Sequence, residues 1–90
     1  MRKLGRQLLW DREATFDFAD WVATDIEVAK KINKLLLECM GDNPFKGTGK
    51  PEPLKHELQG FWSRRINHEH RLIYKVSDAH IFILACKDHY

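Results

Sequence analysis

The sequence predicts an α+β domain, two helices followed by a small antiparallel sheet. Three observations carry that prediction. Apolar residues recur twice at helical spacing before residue 40. Glycine and proline then crowd between Pro44 and Pro53. Three short apolar runs follow, separated by polar turns.

Each element has its own reason. Gln7 to Trp10 is short and apolar, which suits an opening strand. Asp11 can cap the helix after it, where Ala14, Phe18, Trp21 and Val22 fall on one side. Thr24 or Asp25 can cap a second helix. Its apolar face is Ile26, Ala29, Ile32, Leu36 and Cys39, with Leu35 and Met40 on the margin. Gly41 stops it and Asn43-Pro44 forbids continuation. So short a joint makes the two helices an antiparallel hairpin. Residues 44–57 read as a loop. Strands are expected at 58–66, 71–76 and 80–86, with turns at 67–69 and 77–79. The hairpin must bury its apolar stripe on one sheet face. The other face is then open to Arg, His and Lys.

The chain has 90 residues, enough for one domain, 1–90. Hydrophobic residues are 43% and charged residues 31%, which excludes a disordered chain. Two cysteines, Cys39 and Cys86, exclude a disulfide scaffold and suit a reducing compartment. The longest apolar run, 81–86, is six residues against the roughly 20 that cross a membrane. No apolar stretch of signal-peptide length follows the basic start. A cytoplasmic protein without membrane association is expected. A chain this short buries only about 60–70% of its unfolded surface, so it gains from a dimer or protein partner.

The net charge of +2 conceals an uneven distribution. Residues 1–45 hold seven Lys/Arg against eight acids, and residues 11–29 alone are net −5. Residues 46–75 hold seven Lys/Arg against three acids, with His56, His68 and His70 besides. A basic segment of this kind is the footprint of phosphate binding, or simply a solvated polar face.

Several chemistries lack their residues. Gly49-Lys50 is not a P-loop, because the first glycine position is Pro44 and Lys50 precedes Pro51. Histidines and cysteines show no zinc-ligand spacing, and acids in the basic half are too scattered for a two-metal nuclease. Neither a metal nor another cofactor is expected. Ser63 and Ser77, the only serines, are not in a nucleophile elbow. Glu52 stands between two prolines among Lys50, Lys55 and His56. It is a candidate general base, or a plain exposed loop glutamate. Arg64, Arg65 and Arg71 fall on adjacent strands. Arg64 and Arg65 must point to opposite faces, so one of them joins Arg71 on the open face. The plainer alternative is surface arginines pairing with the acids of residues 11–29. His89 and Tyr90 close the chain. A base, an acid and cations are what RNA cleavage by a neighbouring 2′-hydroxyl requires, without a metal. Tyr90 or Phe61 could stack on a base.

Four runs carry a resemblance. They are Lys50-Pro51-Glu52-Pro53-Leu54-Lys55-His56, Gly60-Phe61-Trp62-Ser63-Arg64-Arg65-Ile66, Glu69-His70-Arg71-Leu72 and the closing His89-Tyr90. With Leu9-Trp10, Trp21, Thr24-Asp25 and Lys30-Lys31-Ile32-Asn33, the chain resembles the YoeB/Txe toxins. These are RelE-superfamily members of bacterial type II toxin–antitoxin modules. The resemblance implies a RelE-like microbial-RNase fold, an N-terminal strand and helical hairpin on a curved antiparallel sheet. It implies an mRNA endonuclease acting in the ribosomal A site and arresting translation. It makes Glu52 the general base, His89 the general acid, Arg71 the stabiliser of the transition state and Tyr90 the residue that positions substrate. Lys55 and Arg65 fall on supporting phosphate-binding positions, and Lys50 beside Glu52 joins that substrate-binding set. The implied partners are a cognate antitoxin of YefM/Axe type, the ribosome with its mRNA, and a second toxin copy. Two departures are small: residues 1–5 extend the start, and the joint near Met40-Gly41-Asp42 is one residue longer. The rival functions are a non-catalytic module that binds RNA or antitoxin, and a ParE-like toxin that targets gyrase on the same fold.

Overall fold

A computed structural model describes residues 5–88. Strand β1 is Gln7–Trp10, helix α1 Arg12–Thr24 and helix α2 Ile26–Cys39. Strands β2 (Glu52–Pro53), β3 (Trp62–Arg65), β4 (Arg71–Val76) and β5 (His80–Ala85) follow, with a 3-10 turn at His56–Leu58. The sheet order is β1-β5-β4-β3-β2. The expected α+β architecture is present, with three differences in the sheet.

The sheet is mixed, not antiparallel throughout. β1 runs parallel to β5, with Leu8 beside Ile81 and Trp10 beside Ile83. Four residues of apolar strand do not disclose which distant strand they join or in which direction. The expected strand 58–66 begins only at Trp62. Gly60, at φ +95°, and His56, at φ +58°, turn the chain beforehand, so Leu58 lies in the 3-10 turn. Glu52 is not in an open loop. It pairs with Ser63, and Pro53 pairs with Trp62. Proline is tolerated there because β2 is an edge strand.

The helices start where the caps predict. The Asp11 carboxylate accepts from Glu13 N–H at 3.0 Å. Asp25, rather than Thr24, caps α2 and accepts from Val28 N–H at 3.4 Å. The Thr24 hydroxyl instead donates to the Asp20 carbonyl within α1. Along α2, Ala29, Ile32, Leu35, Leu36 and Cys39 are buried. Leu35 is a full core residue, whereas Ile26, the first residue of α2, is half exposed. The helices cover the sheet face formed by Leu72, Tyr74, Ile81 and Ile83. Burial pushes the Cys86 thiol up to about 12 and raises that of Cys39, so both are inert core residues. Among the described residues no helix is long and apolar enough to cross a membrane.

One charged residue sits inside this core. Arg64 is fully buried, and all five of its N–H donors are used. Nε donates to Tyr74 Oη (3.2 Å), and Nη1 to Glu38 Oε1 (3.0 Å) and the Thr48 carbonyl (3.1 Å). Nη2 donates to the carbonyls of Pro44 (3.0 Å) and Lys46 (2.7 Å). Tyr74 Oη donates to the Pro44 carbonyl as well, at 2.7 Å. The expected alternative, a surface arginine pairing with the acids of residues 11–29, does not apply to Arg64. Its partners are Glu38 on α2 and the backbone of residues 44–48.

Removing this guanidinium leaves buried acceptors without donors. Arg64→Met therefore lowers unfolding free energy by roughly 2–4 kcal/mol, read from urea unfolding at unchanged m-value. Hydrogen bonding from Thr48, ahead of pairing with Arg64, holds the Glu38 carboxyl below its ordinary value of 4.5. A depressed carboxylate stabilises the fold above its unfolded value and loses that contribution as pH falls through its folded value. Stability falls below pH 4.5, and Glu38→Gln flattens that acid limb in unfolding curves measured across pH.

Candidate active site

The register of β2, β3 and β4 sorts side chains into two sets. Residues directly opposite across antiparallel strands share a face. Trp62 opposes Tyr74 and Arg64 opposes Leu72, and these belong to the helix-covered face. Ser63 opposes Glu52 and Ile73, and Arg65 opposes Arg71. Glu52, Arg65 and Arg71 therefore stand on the other face. The strand alternation required one of Arg64 and Arg65 to join Arg71. It is Arg65, because Arg64 is the one enclosed by the core.

The loop from α2 reaches this face by lying on β3. The Arg65 N–H donates to the Gly49 carbonyl at 2.6 Å. Gly49 has φ +89°, and a Cβ there would meet the Arg65 carbonyl oxygen at 2.9 Å and the Arg64 Cβ at 3.1 Å. Only glycine permits that approach. Lys50 follows at φ +50°, a left-handed conformation uncommon for a side-chain-bearing residue.

The result is a cleft of about 490 Å³, lined by Lys31, Gly49, Lys50, Arg65, Ile66, Asn67, His68 and Arg71. Four permanent cations face it and no carboxylate lines it. Among the described residues none of these cations has an ion-pair partner, although Lys30 beside Lys31 pairs with Glu27 at 3.3 Å. A larger hollow of about 720 Å³ lies elsewhere, between residues 40–42 and 78–80. It holds Asp42 and Asp78 and none of the expected site residues.

Arg71 is held by the turn before it. Its Nη1 donates to the carbonyls of Asn67 (2.9 Å), His68 (3.4 Å) and His70 (3.3 Å). The Asn67 carboxamide oxygen accepts from the Glu69 and His70 amides, which closes that turn. The guanidinium is thus fixed on one edge. The Arg71 N–H also donates to the Asp88 carbonyl at 2.9 Å. His89 and Tyr90 follow Asp88 in the chain and lie outside the described residues.

The structure brings together Lys50, Arg65 and Arg71, with Glu52 on the same face. Lys55 is exposed at the start of the 3-10 turn and does not line the cleft. Phe61 is half-buried, packs on Phe82 at 6.4 Å between ring centroids, and has the Lys75 Nζ 5.5 Å over its ring. Lys31 and Asn67 were not singled out from the sequence. Lys31 sits in the acidic half, and the signal for it was the run Lys30-Lys31, from which Glu27 neutralises only one member.

An acid-free cationic cleft, with a carboxylate on the same sheet face, defines a small α+β domain built to hold an anion. Residues 10–90 match the model of the YoeB-like toxin of bacterial type II toxin–antitoxin systems. Toxin YoeB of Escherichia coli K12 is 51% identical over 84 residues, 93% of this chain and 99% of that protein. A YoeB dimer from Staphylococcus aureus superposes with a TM-score of 0.88 at 45% identity, covering 94% of this chain and 98% of that one. A YoeB–YefM complex from the same organism gives 0.87 at 43% identity, covering 99% and 100%. The chain belongs to the YoeB-like toxin family, and its architecture is the RelE-like α+β fold.

Gly49→Ala tests how tightly the loop must lie on β3. The substitution should cost about 2 kcal/mol, from positive φ and a backbone clash together. Thermal unfolding measures the loss. The neighbouring Lys50→Ala should cost far less.

Proposed function

We propose that this toxin is a ribosome-dependent mRNA endoribonuclease. In this reading residues 1–90 act as one catalytic domain, cut mRNA in the A site and arrest translation in the cytoplasm. The observation that carries it is the cross-strand pair of Arg65 and Arg71, on one sheet face with Glu52 and beside a cleft without acids.

The Glu52 carboxylate takes the proton from a ribose 2′-hydroxyl. That oxygen attacks the adjacent phosphorus, and the bond from phosphorus to the 5′-oxygen breaks. His89, as imidazolium, gives its proton to the leaving 5′-oxygen. The products are a 2′,3′-cyclic phosphate and a 5′-hydroxyl. Negative charge builds on the non-bridging oxygens during attack. Arg71 stabilises it, and Arg65 and Lys50 hold the neighbouring phosphates. Fixing one edge of Arg71 beforehand means little reorganisation accompanies the reaction. Tyr90 orients the substrate, Lys55 contacts the strand farther out, and Phe61 offers a ring for a base. General acid–base catalysis needs no further cofactor in this scheme.

An antitoxin of YefM type would neutralise the toxin, and a second toxin copy would complete its assembly. The Staphylococcus aureus structures, one a dimer and one a complex with YefM, support both partners.

The test is to map cleavage ends on ribosome-bound mRNA. Glu52→Gln and Arg71→Ala should each lower the cleavage rate by about 10²-fold or more. The upstream fragment should end in a cyclic or 3′-phosphate. A 3′-hydroxyl end, or full activity in both variants, would contradict the scheme. Lys31→Ala should weaken binding of single-stranded RNA and reduce the salt slope by about 0.7, the increment for one lost phosphate contact.

A further inference from the structure

We infer that His70 is a positioning residue whose Nδ1, by accepting the Asp88 amide, sets the path of the chain into its catalytic end. This rests on the reading of His89 as the general acid.

His70 was expected to add to the basic surface, and it does not. Its side chain is only 12% exposed. The ring packs edge-on against Trp21, with centroids 4.8 Å apart. The Asp88 N–H donates to His70 Nδ1 at 2.7 Å. The Arg71 N–H donates to the Asp88 carbonyl at 2.9 Å. Both backbone polar groups of Asp88 are therefore held by two consecutive residues, His70 and Arg71, the second of which begins β4. Asp88 needs that support. Its φ is +59°, a left-handed conformation that costs a non-glycine residue free energy.

The rest of the terminal segment is fixed from α1. Trp21 Nε1 donates to the Cys86 carbonyl at 2.9 Å. Lys87 Nζ lies 5.5 Å over the Trp21 ring and 3.7 Å from the Asp20 carboxylate. His70 packs on the same Trp21 and adds a tie at the Asp88 amide, next to the one that Arg71 makes to the Asp88 carbonyl. It also precedes Arg71, whose Nη1 contacts the His70 carbonyl. One dipeptide thus contains the proposed phosphate-stabilising arginine and holds Asp88, the residue that precedes the proposed general acid.

The arrangement requires one form of the imidazole. An Nδ1 that accepts must be unprotonated, which puts the proton on Nε2. The Glu69 carboxylate stands 4.0 Å from that nitrogen. A doubly protonated ring would turn Nδ1 into a donor facing the Asp88 N–H. The Asp88 carboxylate, 3.9 Å from Nδ1, is too distant to replace the lost bond as it stands.

Two substitutions separate the acceptor from the packing. His70→Phe keeps a ring against Trp21 and removes the acceptor. His70→Asn loses ring area but places a carboxamide oxygen where Nδ1 stands. Cleavage of ribosome-bound mRNA and hydrogen exchange at the Asp88 amide are measured in both. His70→Phe should lower kcat roughly two- to tenfold with KM unchanged, the range for one net hydrogen bond. Its Asp88 amide should exchange faster by a similar factor. His70→Asn should restore both. Wild-type kcat and exchange in His70→Phe would overturn the inference, and so would a His70→Asn variant as impaired as His70→Phe. If the wild-type protein cuts no mRNA, the enzymatic reading fails by itself, and the exchange rates still decide whether His70 holds Asp88.

Discussion

The open face of the sheet depends on one buried guanidinium. Taking an arginine out of water costs several kcal/mol unless every donor is paired. Arg64 meets that condition with five hydrogen bonds, three of them to backbone carbonyls of residues 44–48. That segment has little apolar surface of its own to bury, and Phe45 is 39% exposed even though it packs on Trp62. Its order comes from polar bonds to Arg64, together with the Thr48 amide bonded to Glu38. The loop so fixed continues into Gly49, Lys50 and Glu52. Strand alternation completes the device: the residue after Arg64 emerges on the opposite face as Arg65. One strand therefore pins the loop from inside and presents a cation outside.

The cleft draws on three separate stretches of chain: Lys31 from α2, Gly49 and Lys50 from the loop, and residues 65–71 from the β3–β4 hairpin. Each is rigid for a different reason. α2 is anchored by its buried stripe, the loop by Arg64, and the hairpin turn by Asn67. A small domain with a single core can hold permanent cations close together only where its backbone is fixed independently of them. Their mutual repulsion has no acid in the cleft to relieve it, so an anionic ligand is favoured there. The acidic first helix meets basic chain elsewhere, as Asp20 does with Lys87. The small net charge of +2 is thus the residue of two regions with separate electrostatic roles.

Much of this was legible from local sequence. Asp11, the pair Thr24-Asp25 and Gly41 marked the helix boundaries, because such signals act within a few residues, though the choice of Asp25 over Thr24 came from the hydrogen bonds they make. The face of α2 followed from spacing. The alternation rule required one of Arg64 and Arg65 to join Arg71, and it could not say which, since both are polar and equally spaced. The choice rests on Glu38 and Tyr74, partners that the sequence separates from Arg64 by 26 and 10 residues. The direction of β1 was illegible for the same reason, as its pairing with β5 spans most of the chain. The strand at Glu52 was hidden by its flanking prolines, which signal a loop and are tolerated at a sheet edge. Lys31 was obscured by the acidic average of its half. His70 looked like a surface histidine, because nothing local announces that Trp21 and Asp88 enclose it.

The dependence of the loop on Arg64 is open to direct measurement. Arg64→Lys keeps the charge but offers fewer donors in a different geometry. Hydrogen exchange at the Thr48 and Arg65 amides, which bond to Glu38 and Gly49, reports whether the loop still lies on β3. Both amides should exchange at least about tenfold faster in the variant, the loss of more than one net hydrogen bond, while the amides of β5 keep their order of protection. Unchanged protection at Thr48 and Arg65 would show that the loop holds its place without the buried guanidinium.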